Sequence, residues 1–183
     1  ELGIDVGLDA KRAGKRIPLG TRGTFRPHFE EMPGGRVCAK ALDDRAGVAA
    51  VLACLQELQG EELPWDVAAV FAVQEELGCR GAAVAAFALH PTLAIATDVS
   101  FAYTPDAPRA KCGELGKGPM LGWAPSLDRR LTQRLEALAK EEGIAIQHEV
   151  MGGDTGTDAD SISGAQEGVP TALLSNFAHI EAV

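Results

Sequence analysis

The sequence predicts an α/β fold, a three-layer sandwich with helices on both faces of a mainly parallel sheet, preceded by part of a small β-domain. Three observations carry this prediction. From about Val37 onward, helix-period and strand-period segments alternate, the order that builds β-α-β units and a parallel sheet. Two strand segments there are almost continuously apolar, W-D-V-A-A-V-F-A-V at 65–73 and T-L-A-I-A-T at 92–97, as a sheet covered on both faces requires. The first forty residues hold short alternating runs and glycine turns instead.

In chain order, residues 2–7 (L-G-I-D-V-G) form a short alternating segment, followed by a basic stretch and then by 17–25 (I-P-L-G-T-R-G-T-F). Residues 31–35 (E-M-P-G-G) read as a turn between two strand-like runs. This region is too small to hold a core of its own, so 1–36 is read as part of a β-domain and 37–183 as the α/β domain. Residues 44–58 form a helix, with Asp43 or Asp44 at its start and Gly60 beyond its end. A small-residue helix over 78–89 stops before Pro91. Leu127, Leu131, Leu135 and Leu138 recur at helical spacing and mark an amphipathic helix over 127–142. Residues 144–150 are a strand, 158–166 a short helix and 171–175 a last strand.

Composition narrows the functional classes. A chain of 183 residues, 46% hydrophobic and 23% charged, is long enough for a globular core. The longest apolar run, 46–55, is about half of a membrane span, and no basic, apolar leader opens the sequence, so the expectation is a cytoplasmic protein with no membrane partner. The formal net charge is −9, from 26 acidic against 17 basic residues. Such a surface repels phosphate backbones, and nucleic acid is not an expected partner. Cys38, Cys54, Cys79 and Cys112 are widely spaced and include no C-x-x-C pair, so reduced thiols are expected and no zinc signature is present.

Carboxylates recur where strands end. Asp43 and Asp44 follow A-K-A-L, Glu75 and Glu76 follow V-F-A-V-Q, and Asp98 follows L-A-I-A-T. In open α/β sheets the ligand crevice lies beyond the carboxyl ends of the strands, so three separate strands deliver acids to one rim. Gathered carboxylates repel one another and rise in pKa unless a cation sits between them. A divalent metal resolves that repulsion, with one acid of an adjacent pair as ligand and the other facing water as general base. Each pair also has a plainer reading: Asp43-Asp44 as a helix N-cap, Glu75-Glu76 as solvated loop acids, and Asp98 as the start of a turn. Among the four histidines, His179 lies just past the last predicted strand, on the same rim, and is the candidate nitrogen ligand. His28 and His90 are expected at the surface, and His148 fits either core or surface.

These residues resemble the tetrahedral-aminopeptidase family, the glutamyl and deblocking aminopeptidases with two metal ions, some of whose members have been labelled endoglucanases. The resemblance runs, in order, through A-K-A-L-D-D-R-A-G at 39–47, V-Q-E-E-L-G-C-R-G-A at 73–82, A-T-D-V-S at 96–100, L-G-K-G-P at 115–119, G-T-D-A at 156–159 and G-V-P-T at 168–171. It implies that Asp43 bridges both metals, that Glu75 is the general base deprotonating the metal-bound water, that Glu76 and Asp98 each ligate one metal, and that His179 completes the first. It further implies zinc or cobalt as the two divalent ions, peptide substrates, an inserted β-barrel domain of which 1–36 is the C-terminal part, and homo-oligomers from dimers to dodecamers. The family's His-x-Asp motif does not occur here, and L-S-N-F-A-H at 174–179 keeps only the aromatic residue and the histidine of its P-x-R-Y-x-H. The resemblance therefore implies an incomplete chain, beginning inside the inserted domain and stopping just after His179.

The expected function is thus metal-dependent hydrolysis of N-terminal residues from peptides. Two alternatives stay open at this point. Paired carboxylates also serve glycoside hydrolysis, although 2 Trp and 1 Tyr offer few sugar-stacking platforms. A chain without its His-x-Asp could instead be a catalytically incomplete assembly or binding module.

Overall fold

The computed structural model describes residues 3–178. The chain divides into two compact units, Glu1–Lys40 and Ala41–Val183.

In the first unit the basic stretch, for which the sequence predicts no element, is a short helix, α1 (Ala10–Arg16). It has no apolar stripe to announce it. Asp9 caps it by accepting the Arg12 amide at 2.9 Å, and Lys15 and Arg16 occupy its last turn, where cations complement the helix dipole. Strands β1 (Phe29–Met32) and β2 (Arg36–Ala39) form an antiparallel hairpin with Phe29 opposite Ala39 and Met32 opposite Arg36. Gly34 and Gly35, both at positive φ, make its turn. The runs at 2–7 and 17–25 form no strand among the described residues, and none of the described residues of this unit is buried.

In the second unit α2 (Leu42–Glu57) begins irregularly, because Asp43 and Asp44 depart from helical backbone angles. Next come a 3-10 turn at Glu75–Leu77, α3 (Arg80–Leu89), β3 (Ala94–Phe101), β4 (Met120–Trp123), α4 (Arg129–Glu141), β5 (Gln147–Val150), α5 (Asp158–Ser163) and β6 (Thr171–Ala178). The predicted amphipathic helix is α4, capped by Asp128, whose carboxylate accepts the Leu131 amide at 2.7 Å. The four strands order as β3-β6-β4-β5. Two of the three pairings are parallel, β3 with β6 and β4 with β5; β4 runs antiparallel to β6. Helices flank this mainly parallel sheet, as the sequence predicts.

One predicted strand is absent. Residues 65–73 join neither sheet, and Trp65, Val67, Val70, Phe71 and Val73 are all exposed. An apolar run becomes a central strand only when neighbours pair with its edges, and no described strand lies in register with this one. The core sits on the face of the sheet carrying Ala96 and Leu173, which pack with Leu127 and with Ala159 of α5. Gly122 of β4 fits there because a Cβ would stand 3.0 Å from that of Leu173. Among the described residues, no helix is long and apolar enough to cross a membrane.

Candidate functional site

Four backbone segments of the second unit present the candidate acids. At the start of α2, the Gly47 amide donates to Asp44 Oδ1 at 2.8 Å, and a Cβ on Gly47 would lie 2.2 Å from Asp44 Oδ2. Glycine at 47 is therefore what lets Asp44 fold back over the helix end, while Asp43 stays exposed beside it. The Asp43–Asp44 peptide bond is cis.

The 3-10 turn presents Glu75 and Glu76. Its backbone is held by Gly78 N and Cys79 N, which donate to the Glu75 carbonyl at 2.9 and 2.8 Å, and by Gly81 N, which donates to Val73 O at 2.9 Å. Gly81 admits no side chain, since a Cβ would stand 2.4 Å from Val73 O. Glu75 is half-buried and Glu76 exposed.

The third segment is β3, in which Asp98 lies within the strand rather than beyond its end, half-buried, with its Oδ1 accepting the Val99 amide at 2.7 Å. The fourth is the start of α5, whose first residue, Asp158, is absent from the ligand set that the sequence predicts. Asp160 braces the loop before it, accepting Ser126 Oγ at 2.7 Å, Thr155 N at 3.1 Å and Gly156 N at 2.9 Å. Burial opposes the Asp160 charge, but these hydrogen bonds prevail and hold its carboxyl below the usual range.

These segments share one electrostatic neighbourhood. Burial first, then the charges of Asp44, Glu75 and Asp43, push Asp98 up to about 7 against the opposing Val99 hydrogen bond. Burial, with the charges of Asp43, Glu75 and Asp158, pushes Asp44 up to about 6, and the Gly47 amide opposes it. Glu75 is raised by burial and by the charges of Asp158, Glu76 and Asp43, while the Cys79 thiol pulls the other way. Asp158 is raised by burial. Among the described residues, no lysine or arginine forms an ion pair with any of these six carboxylates.

Cys79 is the member that sequence reasoning leaves out. Its Sγ donates to Glu75 Oε1 at 3.5 Å, and ligand atoms of Glu75, Cys79 and Asp158 all lie within 4.8 Å of one another. Burial and the neighbouring carboxylates push the thiol up to about 12, so it is a proton donor to Glu75 at neutral pH. The signals for Asp44 and Asp158 are in the sequence, in D-D-R and G-T-D-A; Cys79 carries none. His179 lies outside the described residues. His28 contacts Glu30 at 3.1 Å and His148 contacts Glu136 at 2.8 Å, both pairs exposed. His90 stacks obliquely on Phe87.

The donor set fits divalent cations. It consists of carboxylate oxygens without cationic partners, and Asp158 Oδ1 is buried with no hydrogen-bond partner. A positive ion answers both the mutual repulsion and the orphaned oxygen.

The raised carboxyls fix a pH dependence. Without metal, the folded chain keeps protons on Asp98 up to about 7 and on Asp44 up to about 6, whereas their ordinary value is 3.8. The native state then binds more protons than the unfolded state between those limits, so stability falls as pH rises through that window. The lowered Asp160 acts in the opposite sense only at more acidic pH. Melting in chelator is expected to shift to lower temperature from about pH 5 to about pH 7.5, and saturating divalent cation to flatten the shift. A melting temperature in chelator that rises across this range would contradict the assignment.

Comparison with known proteins adds a second line of argument. The profile of the family described as M42 glutamyl aminopeptidase matches residues 1–180. A lysyl aminopeptidase of Pyrococcus furiosus is 37% identical over 94% of this chain and 50% of its own length. A structure of an aminopeptidase from the archaeon Desulfurococcus kamchatkensis superposes with a TM-score of 0.83 at 31% identity, covering 94% of this chain and 50% of that one. A TET peptidase of Pyrococcus horikoshii, described as able to assemble into a tetrahedron or a large octahedral shell, superposes with a TM-score of 0.75 at 31% identity over 94% of this chain and 51% of its own. The chain thus spans about half the length of the relatives it matches.

Proposed function

The chain belongs to the M42 glutamyl aminopeptidase family, and from that premise we propose that it carries the acidic part of a dinuclear metal centre that hydrolyses N-terminal residues from peptides. The observation that carries the reading is the convergence of Asp43, Asp44, Glu75, Asp98 and Asp158 into one neighbourhood without a cationic partner. Asp43, Glu76 and Asp98 would hold the cations, with His179 as the nitrogen ligand. Two divalent ions, zinc or cobalt, supply polarisation of the peptide carbonyl and acidification of a water toward neutrality.

The chain's own residues do the rest. Glu75 takes the proton from the attacking water and returns it to the departing amine. Burial keeps its carboxyl above the ordinary range, closer to the pKa an efficient proton shuttle needs at neutral pH. The Cys79 thiol donates to Glu75 Oε1. The surrounding negative charge favours the free ammonium end of a peptide over a blocked one. Residues 1–36 are read as the C-terminal part of an inserted β-barrel, and the assembled protein as a cytoplasmic homo-oligomer between dimer and dodecamer, in keeping with the assemblies described for the Pyrococcus horikoshii relative. The family match and the aminopeptidases among the relatives favour neither a glycoside hydrolase nor an inert binding module.

The test is hydrolysis of aminoacyl anilides by the complete gene product. Release is expected with a free α-amine, is lost on N-acetylation of the substrate or on chelation, and returns with zinc or cobalt. Equal cleavage of acetylated and free substrates, or activity that survives chelation, would overturn the proposal.

A further inference from the structure

Glu149 of β5 lies half-buried and reaches across the sheet to two buried hydroxyls. Ser100 Oγ of β3 donates to its Oε1 at 2.5 Å, and Ser175 Oγ of β6 donates to its Oε2 at 2.8 Å. Ser100 and Ser175 are 4% and 1% exposed, so both hydroxyls have given up water for this one carboxylate. Glu149 stands opposite Gly122 in the β4–β5 pair.

The two serines are the neighbours of Asp98. Ser175 stands opposite Asp98 in the β3–β6 register. Ser100 follows Asp98 by two residues on the same strand and so shares its face. One carboxylate on β5 therefore ties together the two strands at the point where β3 presents its candidate ligand. Among the described residues, the adjacent Val99 amide is the one hydrogen-bond donor to Asp98.

We propose that Glu149 is a positioning residue for the cation site, fixing Asp98 through Ser100 and Ser175. The inference rests on the metal-centre reading above. Residues that orient ligands from outside the coordination sphere change metal affinity by about 10- to 100-fold when removed.

The test is titration of the chain with cobalt(II) alone, followed by calorimetry and visible absorption. Wild type is compared with Glu149→Ala, Glu149→Gln and a Ser100→Ala/Ser175→Ala double variant, with far-UV circular dichroism as the check on folding. Glu149→Ala and the double variant are expected to weaken cobalt binding by about 10-fold or more and to alter the cobalt spectrum. Glu149→Gln is expected to keep most of the affinity, because an amide accepts from one serine and donates to the other. If Glu149→Ala does not fold, the double variant decides. Wild-type affinity in the double variant would overturn the role. An equal loss in Glu149→Gln and Glu149→Ala would also overturn it, since the charge and not the hydrogen bonds would then be acting. A wild-type chain that binds no cobalt would overturn the parent reading first and this one with it, which separates the two failures.

Discussion

Replacing Glu75 with Gln is expected to lower peptide-amide turnover by about 100- to 10,000-fold, the range that proton transfer by a positioned side chain contributes. The change is nearly isosteric. The Glu75 backbone carbonyl still accepts Gly78 N and Cys79 N, and an amide oxygen can still accept the Cys79 thiol that Glu75 Oε1 accepts now. What disappears is the ability to take a proton from water. The loss should therefore fall on kcat, with KM and bound metal close to wild type. Initial rates of anilide hydrolysis by the complete gene product, with metal content measured on the same samples, check this. Undiminished kcat would remove Glu75 from the reaction.

Asp43→Ala should have the largest effect on cation binding, a loss of at least about 100-fold, more than removal of an orienting residue costs. Its charge acts on Asp44, Glu75 and Asp98 alike, as expected of a group placed among the other acids. The same substitution has a metal-free signature. With one negative neighbour removed, Asp44 and Asp98 should titrate at lower pH than their present values of about 6 and about 7. Carboxyl titration by NMR in chelator reads that shift directly. Unchanged titration of both groups would place Asp43 outside the cluster.

How far the sequence reveals this arrangement depends on which forces act locally. Helix α4 is legible because its leucines repeat at helical spacing and Asp128 caps it. Helix α2 is legible through the aspartates at its start, one of which accepts the Gly47 amide. Residues 65–73 mislead because apolar continuity describes a strand's faces and says nothing about whether its edges find partners. Strand β4, M-L-G-W, escapes notice because four residues with a central glycine carry no periodicity. Asp43, Glu75 and Asp98 can be singled out because acids follow apolar runs along the chain, although residues 65–73 form no strand and Asp98 lies within β3. Cys79 and Glu149 join the neighbourhood only through tertiary approach. Cys79 meets Asp158 across α3 and α5, and Glu149 meets Ser100 from 49 residues away. No one-dimensional spacing encodes such contacts.

The measurement that bears most directly on the metal centre is the divalent metal content of the purified, folded chain by plasma emission spectroscopy, before and after dialysis against chelator. Because the His-x-Asp motif that would complete the second site does not occur in this sequence, the account predicts about one tightly held zinc or cobalt ion per chain, removed by chelator, restored by added metal and absent from Asp43→Ala. A folded wild-type chain that holds no divalent ion when either metal is supplied would contradict it.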